Sequence, residues 1–298
     1  MGLLQSPGFP VTVVNPGKLN QLHVRSSFDR AATRFADADF VHRTAAEGLM
    51  QRLQPIAIAP RHVVDLGSAL GAGSRQIARQ FPKARILSID RSSLMLRRAK
   101  DSRGWFSKVR ELQADAAQLP LATGSVDYVF ANMLLPWIDD LPACLREVAR
   151  VLRKDGAFLF STLGPDSLKE IRQAWSSVDD GPHVHHFADM HNLGDAVMQA
   201  GMSDPVLDID YLSITYRDSG AILADLAAAG ARNSLRDRRR SLTGKGRIAR
   251  FREYLDDRAV DGVIELKLEL VYGHAFGRDV AGSPGEFRFS SEDIGRRR

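Results

Sequence analysis

Four short stretches place acidic, glycine and amide residues where they can hold a nucleotide-like ligand. The first is Asp65-Leu66-Gly67-Ser68-Ala69-Leu70-Gly71-Ala72-Gly73, a carboxylate followed by a glycine-rich turn. Glycines there let the backbone approach a ligand, and a helix that starts after the turn presents free N–H groups. Asp90, with Arg91 beside it, follows Gly67 by 23 residues. A carboxylate at that place accepts both hydroxyls of a ribose. Asp115-Ala116 lies 25 residues beyond Asp90, placed to meet an adenine edge. The fourth stretch, Asn132-Met133-Leu134-Leu135-Pro136-Trp137, falls where a transferred group belongs. Each stretch alone is weak, because a strand-end aspartate is more often a cap or turn former. The ordered set is stronger. A nicotinamide-binding domain is the main competitor, but the turn is not G-x-G-x-x-G, and Asp65 stands before it.

The elements that position these stretches alternate between two hydrophobic periods. Residues 23–54 read as helix with two apolar faces. Val63–Leu66 is a short buried strand, and 73–80 a helix after the turn. Arg85–Asp90 is a second strand followed by a helix over 93–100. Val109–Ala114 and Val126–Ala131 are the third and fourth strands, the latter followed by a helix over 141–152. Gly156–Ser161 is the fifth. Strands and helices in this order give a mostly parallel sheet with helices on both faces. The late strand Ile264–His274 alternates strictly between apolar and charged residues, as at an antiparallel sheet edge.

With 298 residues, 44% of them hydrophobic, the chain can form one large α/β domain with an insertion. Its apolar runs, such as Val126–Phe130, are too short to cross a bilayer, and its start lacks the basic and apolar regions of a secretory signal. One cysteine, Cys144, permits no disulfide within the chain and no thiolate metal cluster, and is expected to be a small buried hydrophobe. A cytoplasmic address and a monomer are expected. Residues 1–20 read as a flexible leader, and 279–298 as a disordered tail rich in Gly, Ser and Arg.

His183, His185, His186 and His191 cluster after the fifth strand, with Asp189 among them. Without cysteines or a helical His-x-x-x-His pair, no metal is expected, and one histidine, His186, is the candidate to touch substrate. Trp137 is a second substrate-side candidate, although tryptophans at such places, like Trp175, more often only pack. The net charge is +5, and the positive residues concentrate at 232–258, where Arg238, Arg239, Arg240, Lys245 and Arg247 stand out. A solvated helix is the bland reading; a docking face for an acidic partner is the functional one. Aromatic interleaving is sparse and no nucleic-acid module occurs, so a nucleic-acid partner is not expected.

Asp65–Gly71, Asp90, Asp115 and the stretch 126–161 resemble the core of class I methyltransferases, a Rossmann-like α/β fold with a mostly parallel seven-stranded sheet. A nearer resemblance is to the malonyl-acyl-carrier-protein O-methyltransferases of biotin synthesis. It rests on Arg25-Ser26-Ser27-Phe28-Asp29-Arg30-Ala31-Ala32, Ser161-Thr162-Leu163-Gly164-Pro165-Asp166, Phe187-Ala188-Asp189-Met190-His191-Asn192-Leu193-Gly194 and Val271-Tyr272-Gly273-His274-Ala275. These flanking motifs extend over about 23–278 and are shared with relatives of other function, such as the mitochondrial complex I assembly hydroxylase.

The resemblance implies S-adenosyl-L-methionine as cofactor. Asp65 would orient the turn and the methionine amine, Asp90 the ribose, and Asp115 with Ala116 the adenine, with Gly67, Ser68, Gly71, Arg91 and Asn132 completing the site. It implies a methyltransferase domain over 21–278, a helical lid over 213–260, and malonyl-acyl carrier protein as partner and substrate. Methylation of another small acid, and a hydroxylase-like or non-catalytic assembly factor that keeps the fold, are the alternatives. Two departures bear on them. Ser68-Ala69-Leu70 stands where the family has Cys-Gly-Thr, and Phe35-Ala36 where it has Tyr-Asp. An alanine forced into the left-handed region costs roughly 1–2 kcal/mol. No general base is expected, because a malonyl carboxylate is already ionised near neutral pH.

Overall fold

In the computed structural model, described for residues 18–102, 104 and 107–278, the chain alternates helices and strands. In order these are α1 (Gln21–Ala31), α2 (Phe40–Leu53), β1 (His62–Leu66), α3 (Ala72–Gln80), β2 (Arg85–Asp90), α4 (Ser93–Asp101), β3 (Val109–Gln113) and β4 (Val126–Asn132). Then follow α5 (Leu141–Val151), β5 (Leu152–Leu163), α6 (Lys169–Ser176), α7 (Met190–Gln199), β6 (Ser203–Tyr216), α8 (Ser219–Ala228), α9 (Lys245–Asp256) and β7 (Ile264–Phe276). The strands form one seven-stranded sheet in the order β3-β2-β1-β4-β5-β7-β6. β1 to β5 pair in parallel, whereas β7 runs antiparallel to both β5 and β6. This is the expected Rossmann-like architecture. The order reverses beside β1, so the crevice for a ligand opens at the C-terminal ends of β1, β2 and β4. No helix among the described residues is long and apolar enough to cross a membrane.

Two buried clusters fill the two faces of the sheet. One includes Val129, Phe158, Phe160, Leu145 and Val148 under α5; the other includes Tyr128, Phe130, Leu49 and Leu53 under α2. Cys144 lies in the first, where burial pushes its thiol up to about 12, so it packs as an apolar side chain. Arg52 fastens α2 to the far end of the sheet. Its guanidinium binds Asp208 at 2.8 Å and Asp210 at 3.0 Å and lies 3.8 Å over the Tyr272 ring.

Several sequence expectations are corrected. The helix expected over 23–54 is broken into α1 and α2 by a 3-10 turn at Phe35–Asp37, and its two apolar faces serve two surfaces. α1 packs on α4, while α2 packs on β4, β5 and β7. β7 is not an edge strand: β6 covers it and is itself the edge. Pro205, Asp208 and Asp210 obscure β6 in the sequence, since they are poor strand formers. Asp208 and Asp210 are exposed on the face that meets Arg52 of α2, where charge also blunts an open edge. The fifth strand starts at Leu152 rather than Gly156. The insertion expected over 213–260 spans 217–263, because 213–216 complete β6. Residues 1–17 of the expected leader and the expected tail 279–298 lie outside the described residues. Leu19 is no part of a loose leader: it is buried, and its N–H donates to Asp139 at 2.6 Å.

Gly273 on β7 leaves the room that the Phe160 ring occupies; a Cβ there would fall within the ring. Gly273→Ala is therefore expected to lower stability by about 1–3 kcal/mol, the usual cost of overpacking. Denaturant unfolding checks this, and an unchanged midpoint would mean that β5 and β7 do not pack as described.

Candidate functional site

The sheet dictates where the first acidic residues go. Asp65 ends β1 with its side chain buried, and its Oδ2 accepts from the Ser74 hydroxyl of α3 at 2.5 Å. Ser74 is also hydrogen-bonded to the Ser88 hydroxyl of β2. Burial raises the Asp65 carboxyl to about 6, against the pull of Ser74. Asp90 ends β2 and pins the turn from the other side. Its Oδ2 accepts from the Ala69 N–H at 2.9 Å and its Oδ1 from the Ser92 N–H at 2.7 Å. Burial raises this carboxyl as well. The Arg91 backbone N–H also favours this carboxylate, and its oxygens keep acceptor capacity beyond these backbone donors.

The turn between them takes three left-handed residues: Gly67 at φ 77°, Ala69 at 45° and Gly71 at 71°. A Cβ on Gly67 would press against Leu134 at 2.9 Å, so that glycine is needed for space as well as for φ. Ala69 has only the φ cost, roughly 1–2 kcal/mol. Its methyl packs against the Phe35 and Met95 cluster, and its amide is held by Asp90.

A cleft runs over this turn. Gly67, Ala69, Asp90, Arg91, Ala116 and Asn132 are among the residues that line it, and α1 closes it with Gln21, Val24 and Phe28. Of the residues singled out in the sequence, Asp65, Ser68 and Gly71 lie behind this wall. The Ser68 hydroxyl is buried without a protein partner. Asp115 is turned aside at the rim, 3.6 Å from the Arg91 guanidinium. Asn132 lines the cleft, but its amide is engaged: Nδ2 donates to the His42 carbonyl at 2.9 Å, and Oδ1 accepts from Ser161 at 2.7 Å.

A second cavity of about 650 Å³ adjoins the cleft, and His42, Met133 and Trp137 belong to both walls. Its floor is apolar, with Leu163, Leu168, Ile171 and Leu268, and the insertion roofs it with Leu223 and Leu226. The roof is fastened down. Trp175 of α6 lies between His183, stacked at 4.0 Å, and Phe251 of α9 at 4.5 Å. The loop after α8 is held by the Ser234 N–H donating to His185 Nε2 at 3.2 Å, and by Arg236, paired with Asp139 at 2.9 Å.

Three sequence expectations shift here. His186 is exposed; its neighbour His185 is the buried one, edge-on to Trp137 at 5.1 Å. Burial holds His185 near 4, so at neutral pH it is an uncharged staple. Arg238 and Arg239 reach the chamber wall, whereas Arg240 and Lys245 stay on the exposed surface and Arg247 pairs with Asp179 at 3.3 Å. Reading the sequence missed His42. It lies in a helix with no motif around it, and only the fold brings it to the junction of the two cavities. Its Nδ1 is buried without a protein partner, its ring tilts against Phe35 at 4.9 Å, and burial lowers it to about 4.

Residues 64–160 match the family model of a methyltransferase domain. The chain is 39% identical over 269 residues to the malonyl-[acyl-carrier protein] O-methyltransferase of Gallionella capsiferriformans, covering 88% of this chain and 93% of that protein. It is 38% identical over 296 residues to the enzyme of that name from Halorhodospira halophila, covering 96% and 100%. Among solved structures it is similar to the YcgJ protein of Bacillus subtilis, with a TM-score of 0.56, 14% identity and coverage of 78% of this chain and 99% of that one. A SAM-dependent methyltransferase of Thermotoga maritima gives a TM-score of 0.51 at 17% identity, covering 85% and 99%. At such identities these structures speak for the fold.

The buried imidazole at the junction leads to a pH test. His42 has its folded pKa near 4, below the ordinary 6.5. Between those values the unfolded chain takes up the proton and the native one does not, so His42 contributes instability that grows as pH falls from 6.5 towards 4. Asp65, raised to about 6, works in the opposite direction over the range from its ordinary value up to 6. His42→Gln is thus expected to narrow the stability difference between pH 7 and pH 5, measured by denaturant unfolding. An unchanged difference would mean that folding leaves the basicity of His42 unshifted.

Proposed function

The chain belongs to the malonyl-[acyl-carrier protein] O-methyltransferase family, and from that premise we propose that it transfers a methyl group to the free carboxyl of a malonyl group carried on acyl carrier protein. It is a methyltransferase and S-adenosyl-L-methionine is its cofactor. The observation that carries the reading is the junction. A cleft with a ribose-type carboxylate opens, at His42, Met133 and Trp137, into a roofed chamber whose lining carries Arg232, Arg238 and Arg239.

The cleft suits the cofactor on its own chemistry. Asp90 lines it with two oxygens that keep acceptor capacity for a pair of hydroxyls. Gly67 leaves the backbone bare where a ligand must come close. Asp90 would hold the ribose, Ala116 and the adjoining wall the adenine, and the turn over Asp65 the amino-acid end. Asp65 sits beneath the turn and fixes it through Ser74, rather than reaching into the cleft itself.

When bound, S-adenosyl-L-methionine supplies a methyl group on a positively charged sulfur. The protein's part is to position and to exclude water. The acceptor carboxylate needs no proton removed, which fits a junction whose one imidazole, His42, is held neutral by burial. A neutral ring there can offer a hydrogen bond without adding a second positive charge beside the first. Trp137 is fixed on three sides, by Phe28 at 5.1 Å, by His185 at 5.1 Å and through its carbonyl by Gln21 at 3.0 Å. It therefore gives the junction a rigid wall. The insertion acts as a lid over the acyl group. Exposed Arg240 and Lys245, with Arg239, give it an outer charge that suits an acidic carrier. The methyltransferase reading gains from Ala69, whose methyl is accommodated by Phe35 and Met95 and whose amide still meets Asp90.

Two outcomes follow. Asp90→Ala should weaken binding of S-adenosylhomocysteine by roughly 1.5–3 kcal/mol, the range for hydrogen bonds to a charged group; equal calorimetric affinities would remove Asp90 from the site. Reversing Arg240 and Lys245 to Glu should raise KM for malonyl-acyl carrier protein and flatten its salt dependence, while KM for malonyl-coenzyme A changes little. Identical effects on both substrates would take the docking role away from this surface.

A further inference from the structure

The arginines of the lid differ in what they meet. Arg236 and Arg247 hold it in place through Asp139 and Asp179. Arg232 and Arg238 instead line the chamber, and α1 brings Arg30 to the same wall. Among the described residues none of these three meets a carboxylate. Arg30 donates to the hydroxyls of Ser26 at 2.6 Å and Ser27 at 3.3 Å, which hold the guanidinium without neutralising it. Arg238 donates only to the Arg239 carbonyl, at 3.3 Å. Asp225, the acidic residue of the chamber lining, lies against Tyr216, whose phenol burial and Asp225 push up to about 12.

His23 sits at the seam between the two elements that carry the three charges. It lies on the face of α1 that also carries Ser27 and Arg30, at a helical spacing of four and seven residues. Its ring is held 3.0 Å from the Ser234 hydroxyl of the lid loop. Burial first, and then Arg238, Arg30 and Arg232, lower its basicity. Three guanidiniums thus act on one imidazole from two separate elements. Their mutual repulsion is resisted by bonds on either side of them, Asn20 to Ser234 at 2.8 Å, Arg236 to the Lys18 carbonyl at 2.8 Å and Arg236 to Asp139. Like charges clamped across a seam next to a cavity form a preorganised site for an oxyanion, which guanidiniums bind through paired N–H groups.

We propose that Arg30, Arg232 and Arg238 form an oxyanion subsite at the seam between α1 and the lid, where an anionic group of the acyl substrate binds and bridges the two elements. This rests on the methyltransferase reading for the identity of the substrate. Such a substrate carries two oxyanions, the malonyl carboxylate and the phosphodiester of the phosphopantetheine arm, and both have the chemistry the subsite accepts.

Calorimetry on the protein loaded with S-adenosylhomocysteine separates the sources. The ligands are the malonyl thioester of N-acetylcysteamine, which has the carboxylate alone, and phosphopantetheine, which has the phosphate alone. Arg232→Gln, on an exposed loop, and Arg30→Gln are each compared with the unaltered protein, and unchanged S-adenosylhomocysteine affinity reports that the fold is intact. A loss of tenfold or more confined to the malonyl thioester assigns the subsite to the carboxylate; the same loss confined to phosphopantetheine assigns it to the phosphodiester. The proposal is overturned if both variants bind both ligands as the unaltered protein does, or if the unaltered protein binds neither. Binding that follows the expected pattern, without methyl transfer to any malonyl thioester, would keep the subsite and remove the functional reading.

Discussion

Two aspartates at the ends of adjacent parallel strands hold the glycine turn on which the rest of the site depends. Asp65 anchors α3 from below through Ser74, and Asp90 takes the Ala69 amide from the side. Burial disfavours both charges, since a carboxylate loses hydration when it is enclosed. Each is compensated by hydrogen bonds that only the folded turn can supply. The turn is therefore fixed before any ligand arrives, including its one non-glycine left-handed residue. A preorganised backbone of this kind spares a bound cofactor the entropy of ordering it.

The substrate side follows a different principle. Its floor is the apolar end of the sheet, but its roof is an insertion between β6 and β7 that no strand of the sheet pairs with, its backbone bridge to the rest of the chain being Leu19–Leu235. Packing and charge hold it instead, through the Trp175 stack, the neutral His185 staple and the Arg236–Asp139 pair. The N-terminal segment takes part in both cavities. α1 walls the cofactor cleft with Gln21 and Val24 and the chamber with His23 and Arg30, so one helix couples closure over the two sites.

Much of the cofactor side was legible in the sequence because its signals are local. A strand end, a glycine turn and an aspartate at the next strand end recur at spacings that parallel α/β topology imposes, and Gly67, Asp90 and Ala116 fall on the cleft accordingly. The substrate side was less legible because its residues meet only through tertiary packing. His42 and Arg30 lie in an N-terminal region that reads as plain amphipathic helix, and the turn at Phe35–Asp37 that sends its two halves to different surfaces leaves no strong breaker in the sequence. His185 and His186 cannot be told apart by composition, yet one is buried and the other exposed. The run Arg238-Arg239-Arg240 reads as one charged surface, although its members divide between chamber wall and solvent.

The central claim is that the junction at His42, Met133 and Trp137 delivers a methyl group to a carboxylate. The direct measurement is carbon NMR of a single turnover with cofactor labelled at its methyl carbon and malonyl-acyl carrier protein as acceptor. The label is predicted to appear as a methyl ester on the free malonyl carboxyl, with the thioester intact. Label that stays on the cofactor despite binding of both partners, or that arrives on any other atom, would contradict the account.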